Sequence, residues 1–200
     1  AGEGGLRGLV AGAVQAHDQA VAGQCIGAHA LDGGDFLAVT PKGQVPALRL
    51  DGGTVLTEGP SVLQYLADAA PASGLLPAPG SEQRYRVVEW VNYVGTEVHK
   101  LCFYLMFAPD SPAEAKAWGR GLLDKKLAYI NSQLVARQFL VGSQFTIADA
   151  YLTWALTLCT KIGVDLGAYA AAGAYLTAMH ARPAVQAAIA AEAAAAQQAG

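Results

Sequence analysis

Charge is what this sequence has least of. Asp, Glu, Lys and Arg together make 14% of its 200 residues, against 53% hydrophobic residues. A chain so poor in charge and so rich in apolar side chains has the wrong composition for disorder and enough material for a core, in one large domain or two small ones. The formal net charge of -3 gives phosphate backbones and anionic lipid no reason to approach, so neither nucleic acid nor a membrane surface is expected as a partner; a small ligand is. Cysteine is scarce as well. Cys25, Cys102 and Cys159 are an odd number with no CxxC spacing, which argues against a disulfide framework and against a metal site, and a reducing cytoplasm is the expected compartment. There is no uncharged apolar run of about 18 residues to cross a membrane. The opening residues also lack the basic, apolar, small-residue order of a secretory leader. A soluble, unexported chain is expected.

What is present sharpens along the chain. Residues 1–34 are half Gly or Ala, and the only periodic stretch there, from Leu6 to Val21, predicts a weak helix. Val45 to Leu50 and Thr54 to Thr57 are short β-type runs on either side of Asp51-Gly52-Gly53, a hairpin signature. Val62, Leu63, Tyr65 and Leu66 then follow at helical spacing to about Ala69. Pro71, Pro77 and Pro79 break periodicity and predict a linker over residues 71–80. After Ser81 everything predicts helix: about 81–107, 112–136, 146–161, 170–180 and 183–196. The domain limits expected are therefore 1–70, a linker 71–80, and an all-helical 81–200.

Three segments carry chemistry or its structural counterpart. In Pro41-Lys42-Gly43-Gln44-Val45-Pro46, a proline at a strand mouth cannot donate to a ladder, so an irregular entry is expected that leaves the Val45 backbone open to an extended peptide, or else an ordinary loop. Leu56-Thr57-Glu58-Gly59-Pro60-Ser61 joins strand to helix; the helix N-terminus would accept a ligand carboxylate and Glu58 a ligand ammonium, or Glu58 merely favours the first turn. Thr146-Ile147-Ala148-Asp149 has the spacing of a capping box, a structural role whose loss is expected to cost about 1–2 kcal/mol.

Taken together, the 41–46 segment, the hairpin, Thr57-Glu58-Gly59 and Gln64-Tyr65-Leu66-Ala67-Asp68 resemble the thioredoxin-like domain of bacterial beta-class glutathione transferases. Glu89-Trp90-Val91-Asn92-Tyr93, Thr96-Glu97-Val98-His99-Lys100, Leu127-Ala128-Tyr129-Ile130-Asn131 and Phe145-Thr146-Ile147-Ala148-Asp149-Ala150-Tyr151 resemble that family's helical domain. The likeness is dense from Asp35 to Pro183. It implies an α+β fold class: a thioredoxin-like N-terminal domain followed by an all-α helical-bundle domain, the glutathione transferase fold.

The resemblance also implies a site for glutathione, the cosubstrate. Val45 would pair its backbone with the cysteinyl part, with Pro46 cis; Gln44, Glu58 and Gly59 would hold the γ-glutamyl end; Asn92, His99 and Lys100 would line the site near a subunit interface. A zwitterionic tripeptide needs a cation, an anion and backbone pairing, so these residue types make chemical sense. His99 is the catalytic candidate, a hydrogen-bond or proton partner of the thiol. Tyr104 and Phe107, with Leu105 and Trp154, are candidates for an apolar substrate wall, although a helix core is the plainer home for most of them. His17, His29 and His180 carry solvated or helix-end readings instead.

The family's first strand and thiol-bearing loop have no counterpart. By its spacing the nucleophile-side residue falls at about Glu3 and the strand before Ala1, while Cys25 falls beyond the first helix. Residues 1–34 are therefore expected to be incomplete or unreliable as a record of that half of the domain. The function expected is a cytoplasmic, homodimeric detoxification enzyme that conjugates the glutathione thiol to small, mostly apolar electrophiles, with thiol–disulfide exchange alongside. The alternative is a non-catalytic binding or assembly protein of the same fold, which rests on the unmatched nucleophile region; the retained Gln44, Glu58 and His99 weigh against it.

Overall fold

A three-residue loop closes the hairpin, and the computed structural model, which describes residues 36–43 and 45–198, shows how. Strand β1 (Ala47–Arg49) pairs antiparallel with β2 (Val55–Thr57), with Ala47 opposite Thr57 and Arg49 opposite Val55. The Gly53 N–H donates to the Leu50 carbonyl at 2.8 Å, Leu50 N–H donates to the Thr54 carbonyl at 2.8 Å, and Gly53 sits at φ 84°. Glycine suits that position, because a side chain in that left-handed conformation is strained. Upstream, a single helical turn, α1 (Phe36–Val39), leads into a turn in which Gly43 N–H donates to the Thr40 carbonyl at 3.0 Å. Among the described residues the sheet has these two strands.

Helix α2 (Gly59–Asp68) follows β2 and packs on it. Its inward stripe is Val62, Leu63, Leu66 and Ala67, the spacing of one helical face. Pro60 stands in its first turn, where the missing N–H costs nothing. The described residues up to Ala70, together with the last helix, form one compact unit, and Pro71–Arg182 form the other.

In the second unit, residues expected as a linker are folded. Pro71–Ser73 make a 3-10 turn, Leu76 is buried, and the Leu75 carbonyl accepts the Ile147 N–H at 3.0 Å. Ser81 then caps α3 (Glu82–Tyr93), its hydroxyl accepting from Arg84 N–H at 3.2 Å.

The expected plain helix over 81–107 is corrected in its centre. After α3, residues Val94–Phe103 wind as a π-helix before α4 (Tyr104–Phe107) resumes the α-helical path. Within it Cys102 Sγ donates to the Glu97 carbonyl at 3.1 Å. Opposite this segment α5 (Ala113–Leu134) comes very close at Gly119. A Cβ there would stand 2.9 Å from Leu105 Cβ and 3.2 Å from the Cys102 carbonyl oxygen, so only glycine permits the contact.

Helix α6 (Ile147–Lys161) is the centre of this unit, with apolar residues such as Leu152, Ala155 and Leu156 buried on several sides. Its start is the expected capping box. A 3-10 turn (Leu166–Ala168) and α7 (Ala170–His180) complete the unit, and α8 (Pro183–Gln198) is the last helix. Leu123, Leu127 and Ile130 of α5 are fully buried, each contributing roughly 1.5–3 kcal/mol by removal from water. Trp90, Val91 and Val94 are all buried within the chain.

Candidate glutathione site

The candidate residues fall into two groups, one in each unit. In the first, the chain enters β1 through a cis Val45–Pro46 peptide, and Pro46 is buried. The antiparallel register carries the other strand to Thr57, so Glu58 leaves β2 beside that entry. Glu58 has φ 73° and ψ 121°, a left-handed backbone that a non-glycine residue adopts at a cost of about 1–3 kcal/mol. It is exposed, and its carboxylate is paired: Lys42 Nζ lies 2.9 Å from Glu58 Oε1 and donates to Thr57 Oγ1 at 2.9 Å. Lys42 lies 16 residues before Glu58, and the fold brings the two together. Gly59 is buried at the first position of α2. Gln44 lies outside the described residues, as do Glu3, His17, Cys25, His29 and the helix predicted from Leu6.

The Ser61 and Val62 N–H groups both donate to the Glu58 carbonyl at 3.0 Å, and Pro60 has no N–H to give.

The second group lies on the 82–107 rod. Asn92 is exposed, and its carbonyl accepts from the Thr96 hydroxyl at 3.0 Å. His99 is half-buried. Its Nδ1 is 3.0 Å from the hydroxyl of Tyr151, a residue of α6, and its ring meets Trp154 edge-on with centroids 4.8 Å apart. The π winding and α6 thus hold the imidazole from two sides. Lys100 is exposed and places Nζ 5.6 Å from the centroid of the Tyr104 ring. Tyr104 and Phe107 are not core residues: they are 63% and 40% exposed, whereas Trp154 is buried.

No described thiol fits a nucleophile. Cys102 and Cys159 are buried, and burial pushes the Cys102 thiol up to about 11 and the Cys159 thiol up to about 12, so both stay protonated at neutral pH. Among the described residues no group of His, Cys, Asp and Glu is placed to hold a metal ion, and no helix is long and apolar enough to cross a membrane.

Two family models match: the N-terminal domain of glutathione S-transferase over residues 26–69 and its C-terminal domain over residues 103–191. A glutathione S-transferase of Escherichia coli O157:H7 is 46% identical over 161 residues, 80% of each chain. The chain belongs to the glutathione S-transferase family. Among solved structures, a sphingomonad glutathione S-transferase complexed with glutathione matches with a TM-score of 0.81 and 39% identity, over 92% of this chain and 94% of that one. The bacterial beta-class glutathione S-transferase of Sphingomonas chungbukensis matches with a TM-score of 0.82 and 34% identity, over 92% and 93%. The thioredoxin-like and helical transferase architecture read from the sequence motifs is thereby confirmed. The N-terminal model begins at residue 26 and so leaves both Glu3 and Cys25 outside its match.

Proposed function

We propose that this transferase binds glutathione through Val45, Pro46, Glu58 and Gly59, with Gln44, and passes its thiolate to a small apolar electrophile with help from His99. The observation that carries the reading is the likeness, over nearly the whole chain, to a transferase complexed with glutathione. The geometry supports the assignment of roles. An exposed carboxylate at Glu58 suits the ligand's ammonium. The Val45 backbone at the strand entry suits pairing with the extended peptide. His99, whose Nδ1 lies 3.0 Å from the Tyr151 hydroxyl, suits holding or taking the thiol proton. Lowering the thiol's pKa is the main device, because the thiolate is the nucleophile. Asn92 and Lys100 are proposed as further glutathione contacts, and Tyr104 and Phe107 as the apolar face met by the electrophile. Disulfide exchange would run alongside conjugation, in a cytoplasmic homodimer built from domains near 1–70 and 81–200. Nothing favours the non-catalytic alternative.

Calorimetry and turnover test the reading together. The protein should bind glutathione and conjugate it to an activated aryl halide, and Glu58→Ala should weaken glutathione binding by about 1–3 kcal/mol while the protein stays folded. Unchanged affinity in the folded variant would return Glu58 to a helix-start role.

A further inference from the structure

The imidazole of His99 stands among three aromatic rings from two elements. Phe103 comes from the same π winding, Tyr151 and Trp154 from α6, and their centroids lie 6.2, 6.3 and 4.8 Å from that of His99. All three are buried, so they form a fixed wall. A wall of rings sets the plane of an imidazole but reads poorly which edge faces it, because turning the ring over exchanges nitrogen for carbon at nearly the same shape. A hydroxyl does read it. The Tyr151 oxygen lies 3.0 Å from Nδ1, and the overturned ring would present a carbon there and lose the hydrogen bond. Tyr151 is itself held in place: Asp149, two residues earlier, accepts four hydrogen bonds from Thr146, Leu140 and Tyr175 that anchor the start of α6.

We propose that Tyr151 is a positioning residue for His99, its hydroxyl selecting the ring orientation in which Nδ1 faces α6 and so fixing both imidazole nitrogens for work on the thiol. The hydrogen bond at one ring nitrogen also settles which tautomer the neutral imidazole adopts. The role belongs to the hydroxyl and not to the ring, since Phe103 and Trp154 already supply apolar walls. Tyr151 is 4% exposed, and it acts through the imidazole without needing a ligand contact of its own. A supporting residue of this kind holds a reacting group near its productive geometry, and its loss is felt in turnover before it is felt in binding. The proposal rests on the reading of His99 as the partner of the glutathione thiol, and adds the residue that keeps that partner aimed.

The test is a double-mutant cycle read by steady-state kinetics with glutathione and an activated aryl halide. Tyr151→Phe removes one oxygen and keeps the buried ring. It should lower kcat about threefold or more while KM for glutathione stays within about twofold. His99→Ala should lower kcat about tenfold or more, and adding Tyr151→Phe to it should change kcat by less than about twofold, because the hydroxyl then has no imidazole to aim. An unchanged kcat in Tyr151→Phe, a loss confined to KM, or the same loss with and without His99 overturns the proposal, the last being the mark of a purely structural hydroxyl. Should Tyr151→Phe fail to fold, the wild type still decides: at about pH 9, where an ordinary histidine is neutral, the ring nitrogen-15 resonances of His99 should be those of a single tautomer. Averaged resonances overturn the proposal. If His99→Ala alone leaves turnover unchanged, the reading of His99 falls and takes the proposal with it; the other failures leave that reading standing.

Discussion

Glu58 and Asp149 are both acidic residues at a helix start, and the structure treats them in opposite ways. Glu58 is exposed, strained in its backbone and bonded to one surface lysine. Asp149 is fully buried, and its carboxylate accepts four hydrogen bonds: Leu140 N–H at 2.9 Å and Tyr175 hydroxyl at 2.8 Å on Oδ1, Thr146 N–H and Thr146 hydroxyl at 2.9 Å each on Oδ2. A charge that the fold needs is removed from water and saturated with donors, since an unsatisfied buried group is costly. The carboxylate proposed to meet a ligand stays wet and accessible, on a backbone with positive φ. Burial and partner count therefore separate folding from binding where residue type does not.

The largest test removes Asp149. The capping reading alone gives about 1–2 kcal/mol. The structure raises this, because Asp149→Ala strands donors from Thr146, Leu140 and Tyr175 in a dry core. A loss of about 3 kcal/mol or more is expected, which in a chain of this size lowers Tm by roughly 6–12 °C. A drop confined to a degree or two in thermal unfolding would mean that Asp149 is a simple cap.

How far sequence carried the reading follows from the range of the interactions. The hairpin, the capping box and the five later helices are set by neighbours within a few residues, and they were legible. The Val45–Pro46 isomer came with the family resemblance. Three things were not legible. The π winding from Val94 to Phe103 ends where Gly119 of another helix passes close to Cys102 and Leu105. The third and fourth partners of Asp149, Leu140 and Tyr175, lie 9 and 26 residues away. Lys42 lies 16 residues before Glu58, and only the fold brings them together. Periodicity and local motifs record none of these.

A second comparison, between His99 and His180, extends the first. Each imidazole meets one hydroxyl, Tyr151 at 3.0 Å and Thr157 at 2.8 Å. His99 lies beside Lys100 on the rod assigned to glutathione, whereas His180 ends α7. His99→Ala should cut conjugation turnover by about tenfold or more, with a smaller loss of glutathione affinity. Unchanged turnover in a folded variant would erase the distinction between the two histidines.

His180 gives a pH readout instead. The Thr157 hydroxyl donates its proton to the Thr153 carbonyl at 2.7 Å, so its oxygen accepts from His180 Nε2–H. Burial pushes the imidazole below its usual 6.5. The unfolded chain then binds more protons than the folded one just below pH 6.5, and stability is lost as pH falls through that range. His180→Gln should flatten the dependence of Tm on pH between about 7 and 5 relative to wild type. An equal slope in both proteins would assign it to other groups.

The smallest expected effect returns to Glu58 and has two signs. At φ 73° glycine is the residue the backbone prefers, and the exposed carboxylate contributes one screened ion pair. Glu58→Gly relieves the strain and loses that pair, but it also gives the unfolded chain more freedom to lose. The relief of about 1–3 kcal/mol is set against an exposed pair worth under about 1 and a glycine entropy cost of about the same size, and exceeds them only in the upper part of its range. A net gain of no more than about 1 kcal/mol is therefore expected in denaturant titration. Glutathione affinity should fall in the same protein, because the ammonium has lost its partner. Asp149 admits no such trade: every change there lowers stability. If Glu58→Gly both destabilises the protein and leaves glutathione binding intact, Glu58 belongs with Asp149 as a structural acid, and the contrast between the two sites is gone.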